Sequence, residues 1–358
     1  MLRRRLLLAN ACLSALGTSA AYAQPALGDL YFPRRFLPLP KPDNPQPMRV
    51  VYAHNPRIER APPELLANVL ARSAEMAQAH FGLNLQFASI DERPIHTLFA
   101  GLNTDFWSKT KALTYHFKNG TGDRKRLVET TAKNLPRNHN ALSAQIAFAK
   151  PHLLSNTAPT NALTFAQALI DTQLARYAGW TQLQALDGKP LLDDSPLHEY
   201  LGWISAPLLA AWPFEVVITN QLLASVEYQE NSVHSALRGG VSAGLTMQSP
   251  ASRHATVSVL SLFPMLSQDP TIRALRGDAA GQSTDAVEAA AALLTHEIGH
   301  QLLHLGHPFG QSACIMSPPE LLRFSQWTRQ LNAQACQVGN SPENTAGVVR
   351  FVEPKKLP

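Results

Sequence analysis

Apolar residues recur along the chain with two different periods, and each change of period marks an element. Positions 48–53 (MRVVYA) are a short run with the β-branched and aromatic character of a strand. Positions 62–81 then place Leu65, Leu66, Val69, Leu70, Ala74 and Ala77 on one face of a helix. Gly82 ends that helix, and 83–87 (LNLQF) reads as a second strand. Strand, helix and strand within about 40 residues make a βαβ unit, whose crossover leaves the strands parallel. From 91 to about 212 the pattern is mostly helical and loop-rich, punctuated by Pro136, Pro151, Pro159, Pro190 and Pro196. The clearest helix there covers 165–177, and a second covers 199–211. Sheet character returns at 214–219 (FEVVIT), 241–247 (VSAGLTM) and 255–263 (ATVSVLSLF). An alanine- and leucine-rich stretch from 285 predicts a long helix, with Asp285 and Glu288 spaced as a capping box. A last helix is expected over 320–335. The pattern predicts an α/β (α+β) fold: a mixed twisted sheet, a helical insertion or subdomain at 91–212, and two C-terminal helices.

Composition narrows this only a little. With 358 residues, 45% of them hydrophobic, the chain can bury one large core or two modest ones. Arg3, Arg4 and Arg5 followed by an apolar run to Ala21, with Ala21-Tyr22-Ala23 as a cleavage site, read as a signal peptide over 1–23. The run is too short, and too interrupted by Asn10 and Ser14, to predict a membrane anchor. A periplasmic or secreted protein without an anchor after cleavage is therefore expected. Residues 24–47 hold seven prolines and form an extended leader. Residues 48–90 and 213–340 then supply the core, and 341–358 a tail.

Export also changes the charge argument. The formal +5 comes from 31 basic and 26 acidic residues, and removing three arginines leaves 28 against 26, about +2. That balance gives no reason to expect nucleic acid. Cleavage also removes Cys12, leaving Cys314 and Cys336 as a candidate disulfide in an oxidising compartment. Tryptophans 107, 180, 203 and 212 are expected in packing rather than on a binding surface.

The chemistry is concentrated in one place. Four of the thirteen histidines fall between His296 and His307, in the run HEIGHQLLHLGH. On a helix His296 and His300 lie one turn apart on one face and can meet a single metal ion, with Glu297 beside them as general base toward a water held there. The third ligand is open. His304 continues the same face, but its backbone lies about 12 Å along the axis from His296, which suits one tetrahedral ion poorly. His307 follows Gly306, a residue able to take a left-handed conformation and turn the chain back, and is preferred. His304 then becomes either a hydrogen-bonding neighbour of the ligands or a residue at the rim of the site. Glu320, twenty residues after His300, has thermolysin-like spacing, but follows Pro318-Pro319 where a helix start is expected, and Phe324 stands where that family has an aspartate.

These residues resemble the metzincin metallopeptidases, whose motif HExxHxxGxxH carries three zinc histidines and a catalytic glutamate. Cys314-Ile315-Met316-Ser317-Pro318 resembles that family's methionine turn, with Met316 as the methionine. The archaemetzincins are the most similar branch, because Cys314 stands two residues before Met316 as theirs does. Their four-cysteine second zinc site is excluded by a mature chain with two cysteines. A Cys314–Cys336 bridge pinning the methionine turn to the last helix is the expected substitute. The motif departs from the family at Leu303-His304, which is one residue longer before Leu305-Gly306-His307. No tyrosine follows Met316 closely, so a tyrosine ligand is not implied. The resemblance covers about 48–90 and 213–336 and is specific only at 296–318.

It implies an exported Zn2+ metallopeptidase that hydrolyses a peptide or protein substrate, with 241–247 as an edge strand that pairs with extended substrate. Two other readings stay open: a gluzincin-like hydrolase using Glu320, and a non-catalytic, metal-stabilised binding protein. Oligomeric state is not legible.

Overall fold

The computed structural model describes residues 44–100, 115–116, 120–154, 158–193, 195–198, 200–209, 212–224, 227–228, 233–247, 256–278, 285–303 and 305–336. The expected signal, Cys12, residues 24–43 of the leader, Trp107, His304 and the tail 341–358 lie outside the described residues. No helix among the described residues is long and apolar enough to cross a membrane.

The fold is mixed α/β. Its longer strands are β1 Gln46–Met48, β2 Val50–His54, β3 Leu85–Phe87, β4 Asp91–Pro94, β5 Val216–Thr219, β6 Gly244–Met247 and β7 Val257–Ser261, and the two-residue strands Tyr115–His116, Leu223–Ala224, Glu227–Tyr228 and Val241–Ser242 pair in two small ribbons. Five form one sheet in the order β6-β7-β5-β2-β4. β7, β5, β2 and β4 run parallel, with Ile218 opposite both Tyr52 and Leu260, while β6 at one edge is antiparallel to β7. The expected first strand is split at Arg49, whose backbone N–H donates to the Glu215 carboxylate at 2.8 Å. The piece before the split, β1, begins inside the expected leader at Gln46 and shares only Met48 with the expected strand; it pairs in parallel with β3 as a separate ribbon, as a crossover dictates.

One expectation needs correcting. The stretch from 91 opens not with helix or loop but with β4, the outermost parallel strand of the main sheet. Its residues, Asp-Glu-Arg-Pro, are partly or fully exposed and carry no apolar alternation, so the pattern was silent there.

The helices that matter for the site are α1 Pro63–Phe81, α2 Ala162–Trp180, α3 Tyr200–Leu209, α4 Val233–Leu237, α5 Ala286–Leu303 and α6 Phe324–Gln330. The central strands are buried on both faces, which is why they read as near-continuous apolar runs. Val50, Tyr52, Val216, Ile218 and Leu260 join the core containing α1 and α5. Val51, Ala53, Val217, Val257 and Val259 face the other way, against Phe99, Trp203 and Trp212. Those three aromatics pack edge to face, and Trp180 is also 1% exposed, so the described tryptophans are packing residues.

α5 is the element on which the site depends. Asp285 caps it, accepting from the Glu288 N–H at 3.1 Å. The Glu288 carboxylate does not close the box but pairs with Arg72 on α1. The buried alanines 289–292 present little bulk, so α5 lies close along α1, where the Ser73 hydroxyl donates to the Ala291 carbonyl at 3.2 Å. The other side of α5 rests on β6 and β7. α6 is shorter than the expected 320–335. Leu321 is left-handed (φ 50°), and the Asn332 N–H is drawn to the Ala313 carbonyl at 2.8 Å, so neither flank continues the helix.

Candidate metal centre

His296 and His300 project from the last turns of α5, and each ring is fixed by a backbone carbonyl. His296 Nδ1 donates to the Ile315 carbonyl at 2.8 Å, and His300 Nδ1 donates to the Leu305 carbonyl. With the proton on Nδ1, each Nε2 presents a bare lone pair. The chain returns after α5 so that the His307 ring stands 5.0 Å from His296 and 4.7 Å from His300. The three Nε2 atoms form a triangle with edges of 2.9, 3.0 and 3.1 Å.

Gly306 plays a different part from the one expected of it. It is not among the glycines with positive φ. Leu305 ties the returning chain to the helix end: its N–H reaches back to the Gly299 carbonyl at 3.3 Å while its own carbonyl holds His300. Both backbone groups of Leu305 are thus tied to the end of the helix, and no left-handed residue is needed at 306.

This donor set could hold a metal ion. Lone pairs about 3 Å apart repel unless a cation lies among them. A tetrahedral ion with bonds of about 2.0–2.1 Å asks for nitrogens about 3.3 Å apart, near the separations found. Burial holds all three imidazoles well below the usual histidine range, His300 to about 4. They are therefore neutral, the form that ligates.

Glu297 is 5% exposed, and burial pushes its carboxyl up to about 8, against the opposing effects of Thr246 and Arg238. A cation held by the histidines would favour its ionised form. The Thr246 hydroxyl on β6 shares its proton between the Glu297 carboxylate, at 2.6 Å, and the Glu297 carbonyl, at 2.9 Å. Gly244, two residues earlier on β6, lies against the same carboxylate; a Cβ there would collide with it.

Beneath the helix, Met316 is fully buried, and a Cβ on Gly299 would sit 2.5 Å from its Sδ. Cys314 and Cys336 form a disulfide next to the Ile315 carbonyl that orients His296. Glu320 is not brought to the histidines; it meets His152 at 3.2 Å and is 45% exposed in its side chain. His304 lies outside the described residues.

Residues that no motif announced also reach the site. The His234 ring of α4 stands edge-on to His307 at 4.9 Å, and Arg238 lies buried at the end of the same helix. A lone histidine and an arginine four residues apart carry no signal in sequence, and only the packing of α4 against α2 brings them here. Comparison with protein-family models, curated proteins and solved structures found no match.

Proposed function

We propose that the chain is an exported, zinc-dependent metallopeptidase of metzincin type. The observation that carries this reading is the convergence of three neutral Nε2 lone pairs directly beside a buried, hydroxyl-anchored glutamate. His296, His300 and His307 would hold the metal, whose contribution when bound is Lewis acidity toward a water and a peptide carbonyl.

The rest falls to the chain's own groups. Glu297, held by Thr246, takes a proton from the attacking water and delivers it to the leaving amine as the C–N bond breaks. The Ile315 and Leu305 carbonyls keep His296 and His300 in the tautomer that leaves Nε2 free. β6, at the sheet edge beside Glu297, offers backbone groups to an extended peptide. The Cys314–Cys336 bridge is in keeping with an oxidising compartment.

The test is Glu297→Gln in the mature protein. Zinc content at one ion per chain with hydrolysis reduced about 10²- to 10⁴-fold is expected. A variant that turns over peptide as fast as the parent would remove Glu297 from the chemistry. Hydrolysis by neither protein, with zinc retained, would favour the non-catalytic, metal-stabilised reading.

A further inference from the structure

Among the described residues, the guanidinium of the buried Arg238 finds a single hydrogen-bond acceptor. Its backbone sits in a turn pressed against α2: the Arg238 and Gly239 carbonyls accept from Trp180 Nε1 at 3.1 and 3.2 Å. Gly239 (φ 68°) has no room for a side chain, since a Cβ there would lie 2.6 Å from Trp180 Nε1 and 2.9 Å from the Tyr177 backbone nitrogen. The Cα of Arg238 is therefore fixed, and its side chain runs inward until the residue is 3% exposed. There Nη2 donates to the Pro319 carbonyl at 2.8 Å. Buried Nε has no acceptor, and among the described residues no carboxylate pairs with the guanidinium.

A guanidinium left in this state is costly, because burial removes its water while no carboxylate among the described residues pairs with it directly. Its surroundings suggest what is missing. Its contacts place it beside the candidate site: Pro319, which it holds, follows Met316 by three residues, and His234, four residues before it, packs on His307 at 4.9 Å. The planar fork of arginine matches a carboxylate better than any other peptide group. A cation with a fixed backbone beside the candidate site suits an anion at a set distance from the bond that is cut. In a peptide that anion is the terminal carboxylate, one residue beyond the last amide; a side-chain carboxylate has a variable reach.

We infer that Arg238 binds the free C-terminal carboxylate of the substrate, so that the site removes single residues from the carboxyl ends of peptides. This rests on the hydrolase reading above: water adds across the last amide, releasing one amino acid and a shortened peptide with a new carboxylate. His234, four residues before Arg238, packs its ring edge-on against His307.

The test compares three peptides of one sequence with the zinc-loaded mature protein, with products identified by mass spectrometry: the free acid, the C-terminal amide, and an amide ending in aspartate. The free acid is expected to lose its last residue with kcat/KM about 10- to 100-fold above either amide. Arg238→Gln should bring the acid down to the level of the amide, and Arg238→Lys should keep part of the preference. A merely structural arginine would lower all three peptides together. Equal cleavage of acid and amide by the parent, or cleavage at internal bonds, overturns the inference. So does an aspartyl amide cleaved as well as the acid, because the anion recognised is then a side chain. If no peptide is hydrolysed the hydrolase reading fails on its own. Calorimetry with zinc-loaded Glu297→Gln then decides for Arg238: acid bound about tenfold more tightly than amide supports it, and equal binding overturns it.

Discussion

Replacing Gly244 by alanine sets a methyl group against the proposed base. A Cβ at 244 would lie 2.8 Å from Glu297 Cγ and 2.9 Å from Cδ, where ordinary contact begins at 3.4 Å, and its nearest clash is with the carboxylate itself. The strand backbone is held by its ladder to β7, with Gly244 opposite Leu260, so the side chain must yield. The carboxyl group then withdraws by at least about half an ångström and gives up its 2.6 Å bond from Thr246. The folding cost is modest, about 1–2 kcal/mol, because a side chain swings aside and one hydrogen bond is lost. The catalytic cost is larger. A misplacement of about 1 Å can lower a rate about 10²-fold, so kcat is expected to fall about 10- to 100-fold while zinc content stays full. Gly179→Ala is the control, since its Cβ meets only Thr271 at an ordinary 3.6 Å. Steady-state kinetics, metal analysis and urea unfolding on both variants check the reasoning. Full activity in Gly244→Ala, or loss of zinc in place of activity, would refute the placement of Glu297 against this strand.

Other outcomes follow from the same geometry. Single alanine substitutions of His296, His300 and His307 should each weaken zinc binding at least about 100-fold in a chelator competition, while Glu320→Ala leaves it within about threefold, because Glu320 engages His152 instead. Gly299→Ala should cost about 1–3 kcal/mol by overpacking on Met316 and Phe81, and Met316→Ala about 2–5 kcal/mol by leaving a cavity. The double variant should cost at least about 1 kcal/mol less than the sum, and additivity in denaturant melts would show that the two residues do not touch. In metal-free protein, His300 titrates near 4 when folded against 6.5 as the reference. A depressed value means stability that is full above pH 6.5 and is lost as pH falls toward 4, about 3 kcal/mol for this one group. The stability difference between the parent and His300→Gln, measured by urea unfolding, should change by that amount between pH 7 and pH 4. Glu297, raised to about 8, contributes in the opposite sense, its share fading as pH rises through that value, and it is common to both proteins.

The central strands were legible because they are buried on both faces and read as apolar runs, and α1 was legible because Gly82 stops it in the left-handed conformation (φ 70°). β4 was not, since an exposed edge strand need not alternate. The last helix was overextended because helical composition at 320–335 says nothing of the tie from Asn332 to Ala313. At the site, a four-residue spacing on a helix was enough to pair His296 with His300. The choice of third histidine rested on a left-handed turn at Gly306, whereas Gly306 has no positive φ and the returning chain is tied to the helix end through Leu305.

What the sequence alone determined is therefore local: a periodic alanine-rich helix, two histidines and a glutamate at fixed offsets along it, and two cysteines able to pair. Those follow from 3.6 residues per turn and from composition. Tertiary structure alone decided what surrounds them. The Ile315 carbonyl behind His296, Thr246 and Gly244 around Glu297, and His234 against His307 come from segments up to 73 residues away in the chain. No periodicity encodes such meetings, because they are set by which faces of distant elements close on one another when the core is packed.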